Sequence, residues 1–187
     1  MEVILRKEII VDKTLCRALG VAVFVVLTSL GGFVRIPLPF TPVPLTLQTF
    51  FVLLGAAFLG SRLGVFTQLS YLLLGVMGLP IFSGAGSGML YLFGPTGGYL
   101  AGFVLASIFI GRFIRQAQGL ASVFAVFCLA DFILLVSGLI WLKLILGYPL
   151  SRLLVIGFLP FVPGDLVKVF IASGIYLSLR QRVKEIF

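Results

Sequence analysis

The 187-residue chain contains no histidine. That absence removes Ser-His-Asp triads, His-based zinc sites and imidazole proton relays from the chemistry open to it. Acidic residues are also scarce, six against fourteen Lys and Arg, so any carboxylate chemistry must come from very few positions. Only two cysteines are present, Cys16 and Cys128. They are far apart and surrounded by apolar residues, which reads as buried thiols and indicates neither a disulfide framework nor a metal site. Charge of either sign is sparse: 11% of residues, where soluble domains carry about 25%.

What fills the chain is apolar. Sixty per cent of residues are AVILMFWYC, and the mean hydropathy is +1.24, which excludes a soluble domain. Six membrane spans of about 20 residues would use roughly 120 positions, leaving short loops and two tails. The expectation is one all-α integral membrane domain over residues 1–187, with no soluble catalytic domain.

Apolar runs recur near Ala18 to Leu30, Thr46 to Gly60, Leu63 to Gly78, Pro95 to Gly111, Leu120 to Leu142 and Leu153 to Leu179. The breaks between them carry ordinary loop signals: Gly31-Gly32 with four prolines, Ser61-Arg62, Leu79 to Gly94, Arg112 to Gly119 and Gly147-Tyr148-Pro149. The basic N-terminal segment before the first run resembles the start of a signal peptide. No small-x-small cleavage site closes that run, so it is read as a retained span.

The net charge of +8 is explained by orientation rather than by nucleic-acid binding. With the N-terminus inside, Arg6, Lys7, Lys13, Arg17, Arg62, Arg112, Arg115, Arg180, Arg182 and Lys184 fall on the inside. Only Arg35, Lys143 and Arg152 fall outside, a ten-to-three bias. This predicts six transmembrane helices, both termini cytoplasmic, in a multi-pass protein of the cell membrane. No internal repeat is evident.

Asp165 and Lys168 lie three apart, hence one turn apart on one helical face, within the last apolar run. Facing lipid, each would cost at least about 2.5–3.5 kcal/mol, so they are expected to face the bundle interior or a cavity. A structural ion pair and a polar ligand site both fit; we take the second. Pro160-Phe161-Val162-Pro163-Gly164 precedes them and places Asp165 near a helix N-terminus, where an anion is favoured. Asp131, mid-way along the fifth run, must be neutral, in contact with water, or paired with a residue of another helix such as Lys168.

Two intramembrane aspartates also raise an aspartyl hydrolase. Such enzymes carry Tyr-Asp and Gly-x-Gly-Asp, whereas here Ala130 precedes Asp131 and Val162-Pro163-Gly164 precedes Asp165. The glycine-rich Ser83 to Gly88 lacks the Gly-Lys-Ser/Thr ending of a phosphate loop, so ATP, if used, is hydrolysed by another subunit. Gly94, Gly98, Gly102 and Ala106 form a small-residue stripe, and Ala18 and Ala22 a shorter one.

Four ordered segments then carry a resemblance: Thr41-Pro42-Val43-Pro44-Leu45-Thr46-Leu47-Gln48-Thr49, Phe82 to Gly88, Gly94 to Phe103, and Pro163-Gly164-Asp165-Leu166-Val167-Lys168. They closely resemble BioY, the family of biotin-specific substrate-binding S components of energy-coupling-factor transporters. The resemblance implies six helices and a biotin pocket near the outer surface. It further implies assembly with a transmembrane coupling subunit and two ATPases, docking through Ala18-xxx-Ala22. Biotin would be cargo rather than cofactor, and the chain not an enzyme. Biotin offers two ureido N–H donors, a carbonyl, apolar rings and chain, and a carboxylate. Against these stand Asp165 as acceptor and Lys168 as donor, Gln48, Ser83, Ser87 and Tyr91 as further hydrogen-bonding groups, and Gly86 and Gly98 as points of close backbone approach. The carboxylate has Lys168, Arg35 or backbone N–H groups to meet it. The nearest alternative is an S component for another vitamin; a membrane scaffold or hydrolase is the alternative of another class.

Overall fold

The computed structural model describes residues 13–186, with side chains through residue 182. In chain order it contains α1 (Lys13–Phe33), β1 (Arg35–Ile36), β2 (Leu45–Thr46), α2 (Gln48–Val76), α3 (Met89–Leu92), α4 (Gly97–Phe113) continued by a 3-10 turn (Ile114–Gln116), α5 (Leu120–Leu146), α6 (Leu150–Gly157) and α7 (Val162–Ile186). Five helices, α1, α2, α4 with its 3-10 turn, α5 and α7, are long and apolar enough to cross a membrane. Arg6, Lys7 and Phe187 lie outside the described residues, as does the side chain of Lys184.

Helix α2 is not a single rod. Gly60 sits at φ +79° and ψ 177°, a region that is essentially glycine's alone, and the chain doubles back there. An unbroken helix would hold Gln48 and Tyr71 about 35 Å apart, yet Gln48 Nε2 donates to Tyr71 Oη at 2.5 Å. Across the bend, a Cβ on Gly64 would lie 2.9 Å from Ala56 Cα. Arms 48–59 and 61–76 therefore run antiparallel, reversing one residue before the Ser61-Arg62 break expected from sequence. The first arm is only about 18 Å long, so the irregular segment before it must complete that side of the bundle. Val43, in that segment, is buried, as non-helical backbone at membrane depth must be.

The last expected span, Leu153 to Leu179, is two helices rather than one. Helix α6 ends at Phe158, which leaves helical geometry at φ −134° and ψ −65°. Pro160 then offers no N–H to continue the ladder, and α7 restarts at Val162 with Pro163 in its first turn, where proline is tolerated. The first outer loop carries a two-stranded antiparallel ladder, Arg35 opposite Thr46 and Ile36 opposite Leu45, where only loop was expected.

Central α2 packs on α1, α4 and α7, and α5 packs on α4, α6 and α7. The stripe on α4 serves this packing. A Cβ on Gly98 would overlap Trp141, one on Gly102 would lie 3.0 Å from Leu134 backbone, and Ala106 is fully buried. Ser137 Oγ donates to Gly98 O at 2.8 Å and Trp141 Nε1 to Gly94 O at 2.9 Å, closing the same interface. Large apolar side chains cover the outside, among them Leu19, Val23 and Val26 on α1 and Phe66, Leu69 and Leu73 on α2. Cys16 and Cys128 are half-buried rather than buried: the apolar surroundings read from sequence are partly this outer face. Arg17, Arg62, Arg112, Arg115 and Arg180 gather at one end of the bundle, where Arg180 donates to Ala117 O at 3.3 Å. The strand pair, α3 and α6 occupy the other.

Candidate functional site

At the end away from the arginines, the loops and the starts of α2, α4 and α7 enclose a cavity of about 490 Å³ of empty space, its open mouth included. Its walls are Val43, Leu100, Phe103, Leu134, Leu135 and Phe161, an apolar lining into which a few polar groups converge, as small-molecule sites require.

The largest polar element is the pair from α7. Asp165 lies in the first turn, and its N–H donates to Phe161 O at 2.9 Å. Lys168 Nζ donates to Asp165 Oδ1 at 2.5 Å, to Thr46 O at 2.8 Å and to Thr49 Oγ1 at 2.9 Å. All three ammonium donors are thereby committed. Asp165 is 3% exposed, and two charges so withdrawn from water persist only when well paired and hydrogen-bonded. It is the single ion pair among the described residues. Asp165 Oδ2 accepts no hydrogen bond from the described residues, so one acceptor is left for a ligand.

Gln48 caps the opposite wall. Tyr71 Oη donates to Ile81 O at 3.2 Å and accepts from Gln48 Nε2. This fixes the carboxamide and leaves Gln48 Oε1 without a partner among the described residues. Ser83 comes from the glycine-rich loop; its buried Oγ has no hydrogen-bond partner among the described residues. Tyr91 stacks on Phe82 at 4.9 Å and donates to Ser83 O at 3.1 Å. Burial raises the Tyr91 phenol above its ordinary pKa, against the lowering influence of the neighbouring Thr96 and Ser83 side chains and of the Arg35 charge, so it acts as a neutral donor.

The structure thus brings Gln48, Ser83, Tyr91, Asp165 and Lys168 together on one cavity. Gly86, Ser87 and Gly98 lie outside its lining. A Cβ on Gly86 would overlap the Tyr91 ring, so that glycine makes room for a cavity-lining side chain; Ser87 is exposed; Gly98 faces Trp141. Sequence reasoning did not single out Thr46, Thr49, Thr96, Tyr99, Phe103, Leu134 or Phe161 as site residues. Thr46, Thr49, Thr96, Tyr99 and Phe103 do sit inside the quoted segments, which was the available signal. Tyr99 also ties the wall together: its hydroxyl donates to Gly157 O at 2.6 Å and its ring occupies the space a Cβ on Gly138 would take.

Asp131 is elsewhere. It is 7% exposed and its Oδ1 has no partner among the described residues. It lines a groove with Cys128, Phe132, Phe158, Val162 and Leu166. The pairing with Lys168 considered from sequence is not formed, because the donors of that ammonium are spent on Asp165, Thr46 and Thr49.

The model of the BioY family matches residues 8–185. The chain belongs to the BioY family. It is 37% identical over 166 residues to the probable biotin transporter BioY of Pyrococcus horikoshii, covering 86% of this chain and 92% of that protein. To the biotin transporter BioY of Thermotoga maritima it is 38% identical over 159 residues, covering 85% and 92%. The crystal structure of the S component for biotin from an ECF-type ABC transporter matches with a TM-score of 0.85 at 27% identity, over 91% of this chain and 94% of that one. This member of BioY is accordingly a multi-pass membrane protein.

Proposed function

We propose that this chain is the biotin-binding S component of an energy-coupling-factor transporter, capturing biotin outside and delivering it inside with an ATP-driven module. The observation that carries the reading is the cavity itself. A buried, oriented carboxylate with one free oxygen and a buried unpartnered serine hydroxyl meet there across apolar walls, in a chain of the BioY family. Biotin supplies what each lacks: ureido N–H groups for Asp165 Oδ2, apolar rings and chain for Phe103, Leu134 and Phe161, and a further polar end for Ser83. Lys168, already saturated, acts by holding Asp165 in place and compensating its charge. Gln48 Oε1 is a second acceptor for an N–H group. Arg35, whose guanidinium occupies the space beside Gly84, supplies positive charge at the loop for the biotin carboxylate.

Biotin is cargo here, not a cofactor, and the chain is not an enzyme: its relatives are named transporters. That they are named for biotin disfavours another vitamin. Binding of radiolabelled biotin by the purified full-length chain is expected, with no competition from other vitamins at equal concentration. Competition by an unrelated vitamin would sink the biotin assignment.

The membrane domain spans residues 1–187 and crosses six times, the two arms of α2 counting separately, with both termini cytoplasmic. The reversal at Gly60 and the ten-to-three bias of Lys and Arg support this topology. In a background lacking Cys16 and Cys128, a cysteine beside Phe187 is expected to stay protected from an impermeant thiol reagent in intact cells; labelling there overturns the orientation.

The partners are a transmembrane coupling subunit and two ATPases. Ala18 and Ala22 are exposed on the outer face of α1, far from the cavity, and offer a coupling subunit close backbone approach. Ala22→Leu is expected to abolish co-purification with that subunit while leaving biotin affinity intact; equal loss of both in a folded variant would refute the docking role.

A further inference from the structure

A second cavity opens at the other end of the bundle, with about 930 Å³ of empty space including its mouth. Three guanidinium groups reach it from three elements: Arg17 near the start of α1, Arg62 just past the reversal of α2, and Arg115 in the 3-10 turn after α4. Among the described residues no carboxylate lines it. Among the described residues none of the three arginines makes an ion pair or a hydrogen bond. Three converging like charges repel one another, and an anion between them removes that cost.

The local backbone is shaped to leave this space. The positive φ of Gly60 turns the chain, and a Cβ on Gly111 would overlap the backbone of Ser61, so α4 closes directly onto the bend. The second arm of α2 starts at Ser61, and its first-turn N–H groups lack partners within that arm. Leu59 and Leu63 complete the lining. Phe66 is one turn beyond Arg62 on the same helical face and is 59% exposed. Headgroup-level cations thus stand directly beside apolar surface that faces acyl chains. A free anion would use the arginines alone; a lipid uses both.

We propose that this cavity binds the phosphate headgroup of an anionic membrane lipid, held by Arg17, Arg62 and Arg115 with an acyl chain along Phe66. Basic pockets between membrane helices recognise such headgroups, each cation near the surface contributing a factor of about five. The site is separate from the biotin cavity and does not depend on what that cavity binds.

The test titrates the purified full-length chain in detergent with short-chain phosphatidylglycerol, phosphatidylcholine or inorganic phosphate, counting bound molecules by native mass spectrometry. Phosphatidylglycerol is expected to bind at least about tenfold more tightly than phosphatidylcholine. Arg62→Gln/Arg115→Gln is expected to weaken it about 25-fold, and Arg112→Gln/Arg182→Gln, which removes two basic residues outside the cavity, to leave it unchanged. A thermal unfolding temperature equal to that of the parent shows that each variant is folded. Should the double variant fail this check, Arg17→Gln carries the same expectation at about fivefold. Equal binding by parent and cavity variants overturns the proposal, as does an equal loss in the control pair, which means diffuse attraction. Displacement of the lipid by inorganic phosphate at equal concentration assigns a free-anion site and overturns it too. So does unchanged lipid binding with lost assembly on the coupling subunit, which assigns the cavity to protein docking.

Discussion

Two aspartates, almost equally buried, have opposite surroundings. Asp165 sits at the start of α7 with Lys168 and Thr49 on one carboxylate oxygen and the ligand cavity before the other. Asp131 sits mid-way along α5 in a groove of apolar side chains, with an oxygen that nothing among the described residues satisfies. The contrast separates a carboxylate built into a polar network from one that is merely enclosed. Only the first is oriented: Lys168 is fixed in turn by Thr46 and Thr49, so three elements hold one acceptor in place. An oriented acceptor can recognise a donor without reorganising, which is what affinity for a small rigid ligand needs.

The most drastic way to break the contrast is Lys168→Met, which leaves Asp165, like Asp131, without a cationic partner among the described residues. Removing one partner of a buried pair costs about 3–5 kcal/mol, so thermal unfolding in detergent should fall by many degrees and biotin binding should be lost. Stability equal to that of the parent would mean the pair is not a supporting element. A finer change is Thr49→Val, which keeps the shape but removes the hydroxyl shared by Lys168 and Asp165. A hydrogen bond to a charged group contributes about 1.5–3 kcal/mol; because Lys168 keeps two other acceptors, the lower figure applies, a loss of at least about tenfold in biotin affinity. An affinity unchanged by calorimetry would show that Thr49 does not orient the pair. Asp131→Asn should have the smallest effect, less than about 1 kcal/mol on stability, since no ion pair or hydrogen-bond network is broken. A large drop in unfolding temperature would reveal that Asp131 is more than enclosed.

Much of this arrangement is legible in the sequence, for definable reasons. The Asp165–Lys168 spacing fixes their common face, and Pro160 with Pro163 marks the helix start beneath them. Ser61-Arg62 marks the bend to within a residue of Gly60. Four motif segments point to BioY and contain most of the polar cavity lining. What local pattern does not reveal is which neighbour a small residue admits. Gly86 and Gly98 signal close approach, but the approaching groups are the Tyr91 ring and Trp141. Nor does sequence show that Lys168 spends its donors on Thr46 and Thr49, since those lie more than a hundred residues away in the chain. The division of the last apolar run into α6 and α7 was signalled by Pro160, but its hydropathy stays high on both sides of the break. The apolar lining from Leu134 and Phe161 exists only once α5 and α7 have met.

The central claim is that Asp165, and not its equally buried counterpart, recognises the ligand. It is tested most directly by measuring biotin affinity and thermal unfolding of Asp165→Asn and Asp131→Asn side by side in one detergent. Asn keeps the shape of the side chain while removing charge and exchanging an acceptor for a donor. Asp165→Asn is expected to lose about 1.5–3 kcal/mol per charge-assisted bond, at least about tenfold in affinity, with modest destabilisation, while Asp131→Asn binds biotin as the parent does. Unchanged affinity in a less stable Asp165→Asn protein, or an equal loss of affinity in Asp131→Asn, would contradict it.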